Sequence, residues 1–193
     1  MNTRQRLTMT LTLGLLLFSA TASAAPDYKA DVASNEAYAK ALLHLHSFML
    51  GSKGPVITAF FDPNCIWCHE FYRHAQPYIR EGRLRVRVVM VGTLKHSSAP
   101  KAETIVAARD PAKALAYDES HYTATSEEGG IVPATHIPPA ARAEIRDNTA
   151  FLANTTGPLT PTLVILRAGH LMVDKGYPSQ TGVGGIIRQW GTP

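Results

Sequence analysis

The sequence predicts an α/β domain in which a helical block interrupts a small sheet between its second and third strands. Three observations carry that expectation. Apolar runs rich in β-branched residues lie at Val56–Phe61, Leu84–Leu94 and Thr162–Leu166. A helical pattern separates the first two. A stretch rich in Ala, Glu, Lys and Arg, residues 97–154, separates the second from the third.

The first 24 residues read as a secretory signal peptide. Arg4 and Arg6 form a basic start, Leu7 to Phe18 is an apolar core, and Ala22-Ser23-Ala24 is a small-x-small cleavage pattern. The apolar stretch falls short of the roughly 18 residues of a spanning helix. Without this segment 169 residues remain, enough for one domain with its own core. They carry 17 basic and 15 acidic side chains, since only Arg4 and Arg6 leave with the leader. So small an excess gives no reason to expect a nucleic acid or a membrane surface as partner.

Residues 25–54 are expected to form a lead-in and a linker helix. Tyr38, Ala41, Leu42, Leu45, Phe48 and Met49 recur at helical spacing, predicting a helix over Asn35–Met49 that Gly51 ends. The remaining span, 55–193, is expected to be the main domain. Gly54-Pro55 introduces the strand Val56–Phe61, whose unbroken apolar character suits a strand buried on both faces. Pro63 stops it. A helix follows from Trp67 to about Arg80, with Pro77 expected to kink or end it. Gly82 turns the chain into the valine-rich second run. In the 97–154 block, helices are expected at about Lys101–Arg109, from Asp110-Pro111 onward with Asp as cap and Pro at the first position, and from Pro138-Pro139 to about Leu152; Thr123–Ile137 reads as a loop. Leu163–Leu166 and Leu171–Val173 flank a turn at Ala168-Gly169, which suggests a hairpin. A short helix near Val183–Trp190 closes the pattern. Strand–helix–strand, helical insert, strand–strand–helix is a thioredoxin-like layout.

The chain holds two cysteines, Cys65 and Cys68, placed where the first strand gives way to the helix. A disulfide across so short a ring stabilises by roughly 2 kcal/mol at best, against nearly 5 for a ~100-residue loop. The spacing therefore suits redox chemistry better than stapling. A secreted chain also places the pair where disulfides persist. At a helix start, unpaired N–H groups and the positive dipole end favour a thiolate on the first cysteine. Cys65 is thus the expected attacking thiol and Cys68, one turn in, the resolving thiol. Ile66 and Trp67 between them are apolar and offer a thiolate no charge. Thr160-Pro161 precedes the last long apolar run, and proline suits a strand's first residue because it cannot donate to a ladder.

The run Phe60-Phe61-Asp62-Pro63-Asn64-Cys65-Ile66-Trp67-Cys68-His69-Glu70-Phe71, with Leu159-Thr160-Pro161, resembles the catalytic domain of periplasmic disulfide interchange proteins of the DsbC/DsbG type. The resemblance spans roughly Tyr38 to Trp190. It implies a thioredoxin-like fold and thiol–disulfide exchange without a cofactor. It carries Cys65 and Cys68 over as the redox pair, and Thr160 and Pro161 as a cis-proline loop facing them. Ile66, Trp67, Thr160 and Pro161 then form the expected substrate-binding face. The implied partners are exported proteins with disulfides or free cysteines, and a membrane-bound or soluble thiol as electron donor. Ile66 stands where that family usually has glycine or proline. The family's N-terminal dimerisation domain has no counterpart in the roughly 30 residues before Val56, so a monomer is expected.

Other chemistries compete for the same residues. Cys65-Ile66-Trp67-Cys68-His69 satisfies the c-type haem attachment pattern, but the flanking strands do not suit it. A zinc site from Cys65, Cys68, His69 and His74 lacks the usual separation of ligand pairs, so no metal is expected. A non-catalytic binding module with an inert disulfide is the third alternative. On the exchange reading, His69 is a surface helix residue that tunes Cys68.

Overall fold

The computed structural model describes residues 28–167, 170–177 and 182–190. The expected signal peptide over residues 1–24 and the turn at Ala168-Gly169 lie outside them. In chain order the elements are α1 (Tyr28–His44), β1 (Phe48–Leu50), β2 (Val56–Phe61), α2 (Ile66–Arg80), β3 (Arg85–Met90), α3 (Ser98–Ala107), α4 (Pro111–Ser120), α5 (Pro139–Thr155), β4 (Thr162–Arg167), β5 (His170–Lys175) and α6 (Gly182–Trp190).

The strands form one sheet in the order β1-β3-β2-β4-β5. β2 and β3 run parallel, with Val56 opposite Arg85 and Phe61 opposite Met90. The other pairings are antiparallel. Period two along the strands sends alternate residues to opposite faces. Ile57, Ala59 and Phe61 join Val86, Val88 and Met90 in a core with Phe71 and Ala75 of α2 and Ile186 and Ile187 of α6. Phe60, Val89 and Val164 face the other way, into a smaller core with Leu42 of α1 and Leu152 of α5. Burial on both faces is why β2 reads as an unbroken apolar run.

One expected element is divided. The helix expected to reach Met49 ends at His44, and Phe48–Leu50 is instead an edge strand paired with Val86–Val88. The cause is Arg87 on β3. Its guanidinium donates to the carbonyls of Leu42 (2.8 Å), Leu43 (3.3 Å) and Leu45 (2.8 Å), and to Ser47 Oγ (2.8 Å). These bonds satisfy the final carbonyls of α1, which then stops. With β1 counted, the three-helix block follows the third strand rather than the second. Pro77 does not end α2 at its own position, since the helix runs on to Arg80. Pro77 lies in the last turn, so only one intrahelical bond is lost before the helix closes through Glu81 N–H to Pro77 O at 3.0 Å. α4 begins where Asp110-Pro111 places it, with the Asp110 carboxylate accepting from Lys113 N–H at 3.1 Å.

α5 locks onto the sheet through Asn148, whose amide donates to Met90 O (3.1 Å) and His46 O (3.0 Å). α3 approaches closely at Gly92, where any Cβ would collide with the backbone of Ala99. These contacts press the three-helix block against the C-terminal ends of β2 and β3, where the cysteines emerge. Among the described residues no helix is long and apolar enough to cross a membrane.

Candidate active site

β2 ends at Phe61, and Asp62-Pro63-Asn64 turns the chain into α2. Cys65 N–H donates to Asp62 O at 3.1 Å, and His69 N–H to Cys65 O at 3.0 Å begins the helical ladder. Cys65 is the N-cap, with extended backbone (φ −84°, ψ 114°). Its Sγ accepts from Cys68 N–H at 3.1 Å and lies 3.2 Å from the carbonyl oxygen of Thr160, to which the thiol donates. A sulfur here does the work of an ordinary capping oxygen on an otherwise unpaired helix N–H. Both cysteines are free thiols.

Their environments differ. The hydrogen bond with Cys68 pulls the Cys65 pKa below the ordinary thiol value, against the opposing effect of burial. Burial pushes the Cys68 thiol well up, and its neighbour Cys65 adds to the shift. Cys65 keeps 3% of its surface exposed and Cys68 none. Trp67 beside them is 53% exposed and Leu159, just before Thr160, is 57% exposed. The Thr160–Pro161 peptide is cis, and Pro161 is buried.

Behind the turn lies a dense polar frame. The fully buried Asp62 carboxylate accepts from Asn64 N–H (2.9 Å) and Ser98 Oγ (2.7 Å) on one oxygen. The other accepts from Thr93 N–H (2.7 Å), Thr93 Oγ1 (3.2 Å) and Leu94 N–H (3.0 Å). The buried Asn64 amide donates to Ser97 and Ser98 and accepts from Lys101 Nζ (3.1 Å) and Gly129 N–H (3.1 Å). Lys101 is itself buried, and its ammonium also donates to Glu128 Oε2 (2.6 Å) and Gly129 O (2.7 Å). A buried ammonium with each of its three donors engaged is the arrangement that makes such burial tolerable.

On the other side, His69 is not a solvated surface residue. Its side chain is 16% exposed, and Nδ1 lies 2.6 Å from Glu119 Oε2. Its ring stacks on Tyr122, with centroids 4.3 Å apart. Burial raises the Glu119 carboxyl to about 7, against the His69 hydrogen bond, and that of neighbouring Asp118 to about 6. One oxygen of each, Glu119 Oε1 and Asp118 Oδ2, is buried without a hydrogen-bond partner. Gly129 packs directly on the Asp118 carboxylate, where any Cβ would clash.

The structure thus brings Cys65, Cys68, Thr160 and Pro161 to one place, with Ile66 and Trp67 at its rim. Cys68 is fully enclosed, and His69 sits between Tyr122 and Glu119. Among the described residues no group of His, Cys, Asp and Glu is placed to hold a metal. Sequence reasoning gave no role to Asn64, Lys101, Asp118, Glu119 or Tyr122. The one available signal was the cluster Tyr117-Asp118-Glu119-Ser120-His121-Tyr122, which crowds titratable and aromatic side chains at the end of a helix.

Comparison with known proteins bears on this geometry. No family model matches the chain. It is 29% identical over 133 residues to the thiol:disulfide interchange protein DsbG of Pseudomonas aeruginosa, and 27% identical over 138 residues to that of Escherichia coli. The chain is similar to the DsbG-type thiol:disulfide interchange proteins. The matches cover 68% and 70% of this chain. The chain spans about half the length of these curated relatives, 50% and 54%. Its fold is thioredoxin-like. A linker-deletion variant of Proteus mirabilis ScsC superposes with a TM-score of 0.63 at 16% identity, covering 84% of each chain. A periplasmic thioredoxin-like protein from Salmonella enterica gives 0.56 at 19% identity, over 74% of this chain and 88% of that one. A disulfide interchange protein from Neisseria gonorrhoeae gives 0.56 at 20% identity, over 76% and 96%.

Proposed function

We propose that this protein is a periplasmic thiol:disulfide oxidoreductase acting on cysteines of exported proteins, with Cys65 as nucleophile and Cys68 as resolving thiol. The observation that carries the reading is the asymmetry of the pair. Cys65 caps α2 with its sulfur on a helix N–H, while Cys68 lies one turn deeper with no exposed surface. The curated relatives at 29% and 27% identity are thiol:disulfide interchange proteins, which supports the same chemistry.

The step balances as follows. The Cys65 thiolate attacks one sulfur of a substrate disulfide; that S–S bond breaks and a Cys65–substrate disulfide forms. The departing substrate thiolate takes a proton from solvent. Cys68 then loses its proton and attacks Cys65 Sγ, closing the Cys65–Cys68 disulfide and releasing the second substrate thiol. Two electrons pass from the pair to the substrate, and an external dithiol returns them. In this scheme Trp67 and Leu159 offer apolar surface to the substrate segment, and the Thr160–Pro161 loop lies beside the attacking sulfur. The leader over residues 1–24 delivers the chain to the oxidising compartment.

The test is a trap. Cys68→Ser expressed in periplasm should accumulate mixed disulfides through Cys65, visible as reductant-sensitive bands on non-reducing gels. A folded Cys68→Ser protein that captures no partner would sink the reading.

A further inference from the structure

Glu119 and Tyr122 belong to one turn at the end of α4, where Tyr122 N–H donates to Glu119 O at 3.4 Å. That turn grips His69 twice, by the ring stack on Tyr122 and by the Glu119 carboxylate on Nδ1. The Tyr122 hydroxyl also reaches across to donate to Asn64 O at 3.1 Å. Asn64 is the residue before Cys65, and His69 is the residue after Cys68. A single tyrosine therefore bridges the two flanks of the cysteine turn.

The geometry at Asn64 makes this bridge matter. The Asn64 carbonyl and the Cys65 N–H belong to the same planar peptide. Tyr122 holds one end of that plane and Asp62 O holds the other, at 3.1 Å. With the plane fixed, the Cys65 φ and χ1 angles set where Sγ lies relative to it, and the first turn of α2 sets where the Cys68 N–H lies. The sulfur sits 3.1 Å from that nitrogen, and this contact favours the thiolate.

We propose that Tyr122 is a positioning residue for Cys65: by tying Asn64 to His69 it holds the nucleophile on the helix N-terminus, and the His69–Glu119 pair behind it makes that hold responsive to pH. The proposal rests on Cys65 being the attacking thiol. The pair is surrounded from several elements. Asp118 adjoins it on α4, Tyr72 feels Glu119 from α2, and the two thiols and Glu127 act on Tyr122; Lys101 and Asp62 act on Asp118. Of these, Asp62 and Lys101 are held by full sets of hydrogen bonds, whereas Glu119 has a free oxygen. Asp118 likewise keeps an unpartnered oxygen, so the two α4 carboxyls, raised to about 7 and about 6, are the groups that exchange a proton near neutrality, and Glu119 is the one in contact with His69. When it loses that proton, the added negative charge disfavours a thiolate at Cys65.

The experiment follows alkylation of Cys65 by iodoacetamide from pH 4 to 9 in the reduced full chain, read by mass spectrometry, alongside thiolate absorbance. Tyr122→Phe keeps the ring stack and removes only the hydroxyl. It should move the Cys65 titration upward and slow alkylation at pH 6 by roughly three- to tenfold, with an unchanged circular dichroism spectrum. A wild-type profile with a second inflection near 7, flattened in Glu119→Gln, is the accompanying expectation and needs no change at the tyrosine. An acidic Cys65 that Tyr122→Phe leaves unmoved overturns the proposal, as does a wild-type profile with a single inflection. A wild-type Cys65 that titrates like an ordinary thiol instead sinks the oxidoreductase reading itself.

Discussion

Two buried acidic sites flank the cysteine turn, and the fold treats them in opposite ways. Asp62, beneath the turn, has both oxygens filled by five donors from Asn64, Thr93, Leu94 and Ser98. Asp118 and Glu119, on the α4 side, each keep one oxygen buried and unpartnered. Hydrogen bonds to the ionised form cost less to bury than a bare carboxylate. Asp62 is therefore equipped to organise the turn. The α4 pair is equipped to take up a proton. A fully hydrogen-bonded carboxylate beneath the cysteines and a partly bonded pair beside them perform different tasks, although all lie out of water.

The comparison can be broken most sharply at Asp62. Asp62→Ala leaves five buried or half-buried donors without their acceptor, so a loss of about 3–5 kcal/mol is expected. Urea unfolding would show it as a large fall in midpoint. A change below about 1 kcal/mol would mean that solvent replaces the carboxylate and that the frame is not what holds the turn.

The Glu119 side predicts a pH dependence of defined sign. Its carboxyl sits at about 7 in the folded chain, above its ordinary value of 4.5. A raised acid binds its proton more tightly in the folded state. The associated stability is present below pH 4.5 and is lost as pH rises through 7, amounting to roughly 3 kcal/mol. Asp118, raised to about 6, acts in the same direction. Unfolding measured at pH 5 and pH 8 should therefore show a decline that Glu119→Gln reduces. An equal decline in the variant would shift the effect to Asp118 or elsewhere.

The smallest expected effect lies at the exposed rim. Trp67→Ala removes a side chain that is 53% exposed, so stability should change by no more than about 0.5 kcal/mol. Turnover of a protein disulfide should nonetheless fall several-fold, while that of a small aromatic disulfide stays closer to wild type. Equal losses on both substrates would remove Trp67 from the docking surface.

How much of this was legible in the sequence depends on the range of the interactions. Strand β2 and helix α2 could be read because burial on both faces and helical period leave their marks on consecutive residues. The α4 start could be read from Asp110-Pro111, whose capping bond spans three positions. The end of α1 could not, because it is decided by Arg87, more than 40 positions away. His69 looked like a surface residue for the same reason. Its partners Glu119 and Tyr122 lie 50 and 53 positions on, and nothing local announces them.

The sequence by itself determined which atom would sit at the tip of α2. A strand that must stop at proline and a helix that must start just beyond leave Cys65 at the cap and Cys68 one turn in, through purely local constraints on the backbone. Only the tertiary structure decided what surrounds those sulfurs. Partners such as Thr160, Tyr122, Lys101 and Glu119 meet there because distant segments are packed together, and whether a polar group is filled or left bare when buried is a property of that packing, not of any stretch of chain.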